Sequence, residues 1–335
     1  MKSTNRLYEL ARLGNHARAM GAKQSDNQLT APEPYKVHSR FFSPPEEFDN
    51  CFTTYYHLTL DVEDRDGAAG TVTDYLQPEW GNIRFFVGSA PSAQIAGNAV
   101  SGSRFVATGP SSLPCHFEVG SARMWGIGFL PVGWARFVEA QAFDLANLVT
   151  PGAEHPAFAK FDAMTPVLTD PEASDEEQFD TIVSTMRALM RPSRDEAKIL
   201  RVHEALVAGY CATVSELANH CGMSVRTLER VCRRYFGFTP KRLMRRQRFM
   251  RSLTSFMLHQ SDNRGNGATG RWTEAMDAEY HDQAQFTREF REFMTMLPSD
   301  YAALEHPVLA SFMEARARIW GSAAQTLDAP GDKTE

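Results

Sequence analysis

In the segment VRTLERVCRRYF, residues Arg226, Glu229, Arg230, Arg233 and Arg234 recur at three- and four-residue spacing. On a helix this spacing gathers them on the face opposite Leu228, Val231, Cys232 and Phe236. A face carrying four guanidinium groups and one carboxylate can neutralise a polyanion, and its planar forks can pair with two acceptors at once. Further along, in DQAQFTREFREF, residues Gln283, Thr287, Arg288 and Arg291 repeat the arrangement opposite Phe286, Phe290 and Phe293. The surrounding charge agrees. Residues 191–296 carry a net +6, whereas residues 1–190 carry −9 and the remainder −3, so the overall −6 and the pI near 6.0 conceal a basic block. Between Arg226 and Arg251 stand ten basic residues and one acid, Glu229. Such a block inside an acidic chain is the footprint of polyanion binding, with a solvated helix face as the plain alternative.

The elements that position these side chains are helices. In VSELANHCGMSVRTLER the first helix buries Val214, Leu217, Ala218 and Cys221. Gly222 supplies the positive φ of a tight turn, and Ser224 caps the next helix. Helix, short turn and helix with a basic outer face make a helix-turn-helix. Thr239 and Pro240 then start a long helix to about Leu258. In WTEAMDAEYHDQAQFTREFREFMTMLPSDY, Trp272, Ala275, Met276 and Tyr280 pack a second such unit, whose second helix is capped by Asp282. Helices are also expected at about 195–208 and 307–320, and SDNRGNGATG between the units reads as a flexible connection.

From LANHCGMSVRTLERVCRRYFGFTPKRLMRRQRF to DQAQFTREFREFMTMLPSDY, the region resembles the DNA-binding domain of the AraC/XylS family of bacterial regulators. The resemblance covers about a third of the chain. It implies a sequence-specific, DNA-binding transcription regulator whose two recognition helices enter successive major-groove segments. It further implies base reading by Arg226, Glu229 and Arg230 in the first helix and by Gln283, Thr287 and Arg288 in the second. That chemistry suits Arg on guanine, Gln on adenine and Glu on the cytosine amine. Arg233, Arg234, Lys241 and Arg291 are assigned to phosphates, which position the protein without reading sequence. Two features depart from the family pattern: Glu279 stands where the second turn usually has Gly, and the spacer SDNRGNGATG is long.

The remainder of the chain predicts an α+β protein: a β-rich sandwich or barrel, then an all-α domain with the two helix-turn-helix units joined by the long helix. Residues 1–45 form a polar segment with a short helix near Leu7–Met20 and a loop marked by Pro32, Pro34, Pro44 and Pro45. Residues 46–190 form the β-rich domain, 194–303 the DNA-binding domain, and 304–335 a helix with a flexible tail. Period-two alternation makes Phe52–Val62 a half-buried strand with Phe52, Tyr56, Leu58, Leu60 and Val62 on one face. Shorter β runs follow at 71–76, 83–87, 103–108, 114–119 and 123–129, then helices at about 134–148 and 176–190. The stretch ATGPSSLPCHFEVGSARMWGIGFLPVGWARF resembles the β-rich N-terminal domain of one branch of these regulators, which implies a role in sensing an effector or in dimerisation.

Double-stranded DNA is therefore the expected partner, with RNA polymerase, a small-molecule effector and a second copy of the chain as further candidates. No cofactor and no metal are expected. The five cysteines form no C-x-x-C pair. His57, His116 and Cys115 lack the two-His-and-Glu arrangement of a cupin metal site, so structural or surface roles fit them better. Trp80, Trp125 and Trp134 read as core aromatics before pocket walls. No run reaches the ~18 apolar residues of a membrane span, and no signal segment is visible, so a cytoplasmic protein is expected. The alternatives are a β-domain enzyme with a helical accessory domain, for which residues 46–190 show no recognisable catalytic constellation, and a helix-turn-helix used for protein contacts. The latter would more often present apolar anchors than four arginines.

Overall fold

The alternating run at Phe52–Val62 does form a strand, but one that is buried on both faces over most of its length. The computed structural model describes residues 34–64, 67–263 and 280–330. Among them, β1 (Tyr35–Phe42), β2 (Phe52–Val62), β3 (Val72–Leu76), β4 (Asn82–Gly88), β5 (Ser92–Ile95), β6 (Asn98–Ser101), β7 (Phe105–Thr108), β8 (Cys115–Val119), β9 (Ala122–Phe129) and β10 (Val149–Pro151) build two antiparallel sheets. Their orders are β1-β2-β9-β4-β7-β10 and β3-β8-β5-β6. Tyr56, Leu58 and Leu60 face a cavity between the sheets. The opposite face of β2 is covered by α1 (Pro131–Phe137) and α2 (Asp175–Leu189), with the Phe179 ring 6.1 Å from Tyr55.

Phe52 leaves the stripe the sequence assigned to it. Between Phe52 and Tyr55 the pairing with β9 slips, three steps on β2 matching two on β9. The extra residue reverses the side-chain parity. Phe52 consequently packs on the helix side, 5.1 Å from Phe137 and 5.5 Å from Phe129, instead of beside Tyr56.

Several expected loops are strands. β1 lies inside the proline-marked segment and pairs with β2 from Tyr35↔Val62 to Phe42↔Tyr55, so the leading polar segment ends earlier than residue 45. The prolines flank this edge strand and cost it no ladder bond. β5, β6 and β10 are too short to show a period. Conversely, the helix expected over 134–148 stops at Phe137, where Val138 turns extended, and resumes as a 3-10 turn at Ala142–Leu145.

The C-terminal half is helical: α3 (Glu196–Ala208), α4 (Val214–His220), α5 (Val225–Val231) with a π-helical turn Cys232–Phe236, α6 (Pro240–Asn263), α7 (Gln283–Met294) and α8 (Leu309–Trp320). α6 runs beyond Leu258, so the start of SDNRGNGATG is helical and not connection. The expected helices at 7–20 and 272–278, Glu279, and the rest of that spacer lie outside the described residues.

The polar stretch Arg191–Glu196 does not divide two cores. One apolar cluster runs from Phe48, Phe52 and Trp134 through Ile182 and Met186 to Val202, Leu217, Leu228 and Leu243. Across the stretch, Arg136 pairs with Glu196 at 2.8 Å. A second cluster joins Phe249 and Phe290 to Tyr301, Met313 and Ala323. The expected flexible tail is thus packed as far as the turn Gln325–Leu327, because α8 brings an apolar face to the β-rich part: Phe312 lies 5.3 Å from Phe41 and 5.0 Å from Tyr56. The buried Asp74 carboxylate fixes the start of α8, accepting from the N–H groups of Val308 (3.0 Å) and Leu309 (2.8 Å).

Candidate nucleic-acid interface

Thr213 caps α4 by accepting from the Glu216 N–H at 3.2 Å, and Glu216 reaches back to accept from the Ala212 N–H at 2.9 Å. These reciprocal bonds define the helix start. Leu217, Ala218 and Cys221 are buried, and Gly222 turns the chain at φ +64°. A Cβ there would meet nothing within 4 Å, so the demand on Gly222 is conformational. Ser224 Oγ then accepts from the Thr227 N–H at 3.2 Å. Leu228, Val231, Cys232 and Phe236 point inward as expected.

That packing leaves Arg226, Glu229, Arg230 and Arg234 exposed. Arg230 is braced from behind: its guanidinium donates to Asp195 at 3.3 Å, and the same carboxylate accepts from Tyr235 Oη (3.1 Å) and Lys198 (2.7 Å). The hydrogen bond from Lys198, with those from Arg230 and Tyr235, outweighs partial burial and holds the Asp195 carboxyl down at about 2. Arg233 sits differently. It is half-buried, donates to Glu229 at 3.3 Å, and lies 4.5 Å over the ring of Phe143, which comes from the β-rich part. Next to it, Gly237 (φ +85°) lets the chain pass Pro110, whose Cβ stands 3.0 Å from where a side chain would start.

Arg242, Arg245, Arg246 and Arg248 of α6 are engaged within the protein, although the sequence counted them in the basic footprint. Arg242 pairs with Glu292 at 3.1 Å and bonds Ser112 Oγ at 2.9 Å. Arg245 pairs with Glu289 (2.8 Å) and Glu292 (2.5 Å), and Arg248 with Glu289 (2.5 Å). Arg246 is fully buried, donating to Ser111 O at 2.9 Å and lying 3.9 Å over the Trp80 ring. Lys241, by contrast, is exposed. Charge along the chain cannot tell these cases apart, because the acids that neutralise Arg242, Arg245 and Arg248 come from α7.

Those pairs set the pose of α7. Glu289 is 3% exposed and also accepts from Tyr280 Oη at 2.8 Å. Asp282 caps the helix through the Gln285 N–H at 2.6 Å, and Phe286, Phe290 and Phe293 are buried. Gln283, Arg288 and Arg291 remain exposed. Thr287 is half-buried and spends its hydroxyl proton on Gln283 O at 2.9 Å, which leaves its oxygen as an acceptor.

The β-rich part holds a second site, an apolar cavity between the sheets with an empty volume of about 1140 Å³, part of it open to solvent. Leu58, Phe86, Val106 and Met124 line it, Met250 of α6 reaches it, and Phe312, Met313 and Gln325 of the C-terminal segment form one wall. Trp80, Trp125 and Trp134 are buried and stand outside this lining. Cys115 lines it, but burial pushes its thiol up to about 12, which keeps it protonated and unreactive. His57 sits on the other face of β2, where burial and the Arg40 guanidinium, 2.9 Å away, push it down to about 4. His116 is exposed on the other sheet. Among the described residues, no group of three or more His, Cys, Asp or Glu side chains could hold a metal ion, and no helix is long and apolar enough to cross a membrane.

Residues 212–245 match the profile of the bacterial regulatory helix-turn-helix proteins, AraC family. The segment is thus similar to the AraC-family helix-turn-helix. The match ends early in α6, so it covers the first of the two units. A comparison with curated protein sequences finds no match. Among solved structures the chain is similar to ToxT from Vibrio cholerae, at 10% identity over 81% of this chain and 98% of that one, with a TM-score of 0.38. A ToxT structure described as bound to unsaturated fatty acid gives 9% identity over 83% and 97%, with a TM-score of 0.36. The AraC-like transcriptional activator CuxR gives 15% identity over 72% and 91%, with a TM-score of 0.23.

Proposed function

We propose that the protein is a sequence-specific transcription regulator that reads two successive major-groove segments, with Arg226, Glu229 and Arg230 on one recognition helix and Gln283, Thr287 and Arg288 on the other. The observation that carries this reading is the solvent face of α5, where Arg226, Glu229 and Arg230 stand exposed on an AraC-family helix-turn-helix. Support for the second helix comes from α7, which exposes Gln283, Arg288 and Arg291 and is tied through Glu289 and Glu292 to α6. The 24 residues of α6 span roughly 36 Å at ~1.5 Å per residue, close to the ~34 Å of one DNA turn. Arg234, Lys241 and Arg291 are exposed and suited to phosphates. Arg233 keeps that role if DNA draws it from the Phe143 ring. The cavity between the sheets is the effector site in this reading. It is apolar, and its walls belong to both the β-rich part and the helical half.

Selection of bound fragments from a random DNA library, with affinity followed against salt, tests the proposal. Two short enriched blocks about one turn apart, with a steep salt slope, are expected. A library that yields no enriched sequence overturns the regulator reading in favour of a protein-contact role.

A further inference from the structure

Tyr56, Arg84, Glu79 and Thr108 are joined by hydrogen bonds in one polar part of the cavity lining, with Gln77 and Gln325 as further polar side chains; the remaining lining is overwhelmingly apolar. Arg84 is the cation of this lining, and it is already balanced. It is 6% exposed; one terminal nitrogen donates to both Glu79 oxygens, at 2.7 and 2.8 Å, and its Nε donates to Tyr56 Oη at 3.1 Å. The Glu79 carboxylate keeps this arginine charged against the effect of its burial. The polar end of the cavity therefore carries a closed ion pair and no net charge.

A ligand carboxylate brought to this end would meet Glu79 as well as Arg84. It would lose its hydration in an apolar enclosure without a cation to itself, and a buried charge in that position is strongly disfavoured. A neutral hydrogen-bonding group faces no such penalty, because the Tyr56 hydroxyl, which accepts from Arg84, keeps its proton to donate, and the Gln77 carboxamide, whose nitrogen donates to Tyr301, keeps its oxygen to accept. We infer that the cavity binds an uncharged, largely apolar molecule bearing one hydroxyl, carbonyl or ester group, and discriminates against the carboxylate of the same carbon skeleton. This inference rests on the reading of the cavity as an effector site and names the class of effector.

The occupant would also touch Met250 of α6 and Phe312 and Met313 of α8, so its binding is readable in the unfolding of the full chain. The test is calorimetric titration and thermal unfolding of the full-length protein with dodecanol, methyl dodecanoate and dodecanoate. Each is kept below its micelle-forming concentration, at a mildly alkaline pH where the acid is ionised. The alcohol and the ester are expected to bind and raise Tm, with dodecanoate weaker by at least roughly tenfold. Glu79→Gln, which leaves Arg84 without its counter-charge, is expected to strengthen dodecanoate binding by about tenfold and close most of the gap. Ala93→Trp, which fills the cavity from β5, is expected to abolish the alcohol response.

Dodecanoate binding to the wild type as tightly as dodecanol overturns the inference and leaves the effector reading standing. Binding of none of the three overturns both. An undiminished response in a folded Ala93→Trp protein overturns the inference by placing the ligand elsewhere. If Glu79→Gln does not fold, the wild-type ratio of alcohol to carboxylate decides alone.

Discussion

The guanidinium of Arg230 donates to the carboxylate of Asp195 at 3.3 Å, so a side chain aimed at solvent from α5 is steadied by a residue at the start of α3. Asp195 holds Tyr235 and Lys198 as well, so α5, the turn that follows it and α3 share one acidic anchor. Pre-positioning of this kind matters because an ordered Arg loses less rotamer entropy on reaching a base.

Arg230→Ala is expected to cost about 1 to 3 kcal/mol of specific DNA binding and to relax preference at one base pair. Binding measured across a panel of single-base variants of the selected site checks this. An equal loss on every sequence would show Arg230 to be a phosphate contact. Asp195→Asn removes the brace and keeps Arg230 in place, so it is expected to give a smaller loss at the same base pair.

Glu289 is the buried partner of Arg245 and Arg248 and the acceptor for Tyr280. Removing one side of such a network leaves charge uncompensated, at a cost of about 3 to 5 kcal/mol. Glu289→Ala is expected to lower the denaturation midpoint strongly and to abolish recognition by α7 before that by α5. A selection that still returns both blocks from this variant would contradict the bracing role.

Acid sensitivity follows from His203, 1% exposed, where burial, then the nearby Arg246 charge, push the imidazole down to about 3. Its unfolded value is about 6.5. The folded pKa is the lower one, so the stabilisation is complete above about pH 6.5 and is lost as pH falls from there toward about 3. His57, at about 4, acts with the same sign. The unfolding free energy from denaturant titrations is expected to fall steadily below about pH 6.5, with a slope of up to about 1.4 kcal/mol per pH unit for each histidine. His203→Leu is expected to flatten that slope. An unchanged slope would mean that His203 is not held neutral by the fold.

Asp74 and the C-terminal segment give a further stability prediction. Its carboxylate accepts from the N–H groups of Val308 and Leu309 and meets His306 Nδ1 at 3.0 Å. Asp74→Ala leaves buried donors unmatched at roughly 1 to 3 kcal/mol each. The Tm is expected to drop, and cleavage by a protease to begin within residues 304–330. Cleavage elsewhere first would argue against Asp74 as the anchor of this segment.

Much of this was legible in the residues themselves. Gly222, Ser224 and the stripe Leu228–Val231–Cys232–Phe236 encode a local structure, and local structure is what spacing reports. The exposed faces follow from it, since exposure is the complement of that stripe. The internal role of Arg242, Arg245 and Arg248 was not legible, because it depends on Glu289 and Glu292 arriving from another helix. Nor was the displacement of Phe52, where one bulged residue reverses a face without altering the alternation in the sequence. The packed C-terminal segment escaped for a similar reason. Val308, Leu309, Phe312 and Met313 mark an apolar face, but its partner, the sheet surface bearing Phe41, Tyr56 and Asp74, lies more than two hundred positions earlier for each residue.

The central claim is that two recognition helices read two separate blocks of sequence. The measurement that addresses it most directly is the random-library selection repeated with Arg230→Ala and with Arg288→Ala. Each variant is expected to lose definition in one block and keep the other, and the two blocks are expected to differ between the variants. Loss of definition in the same block from both substitutions, or no change from Arg288→Ala, would contradict a bipartite readout.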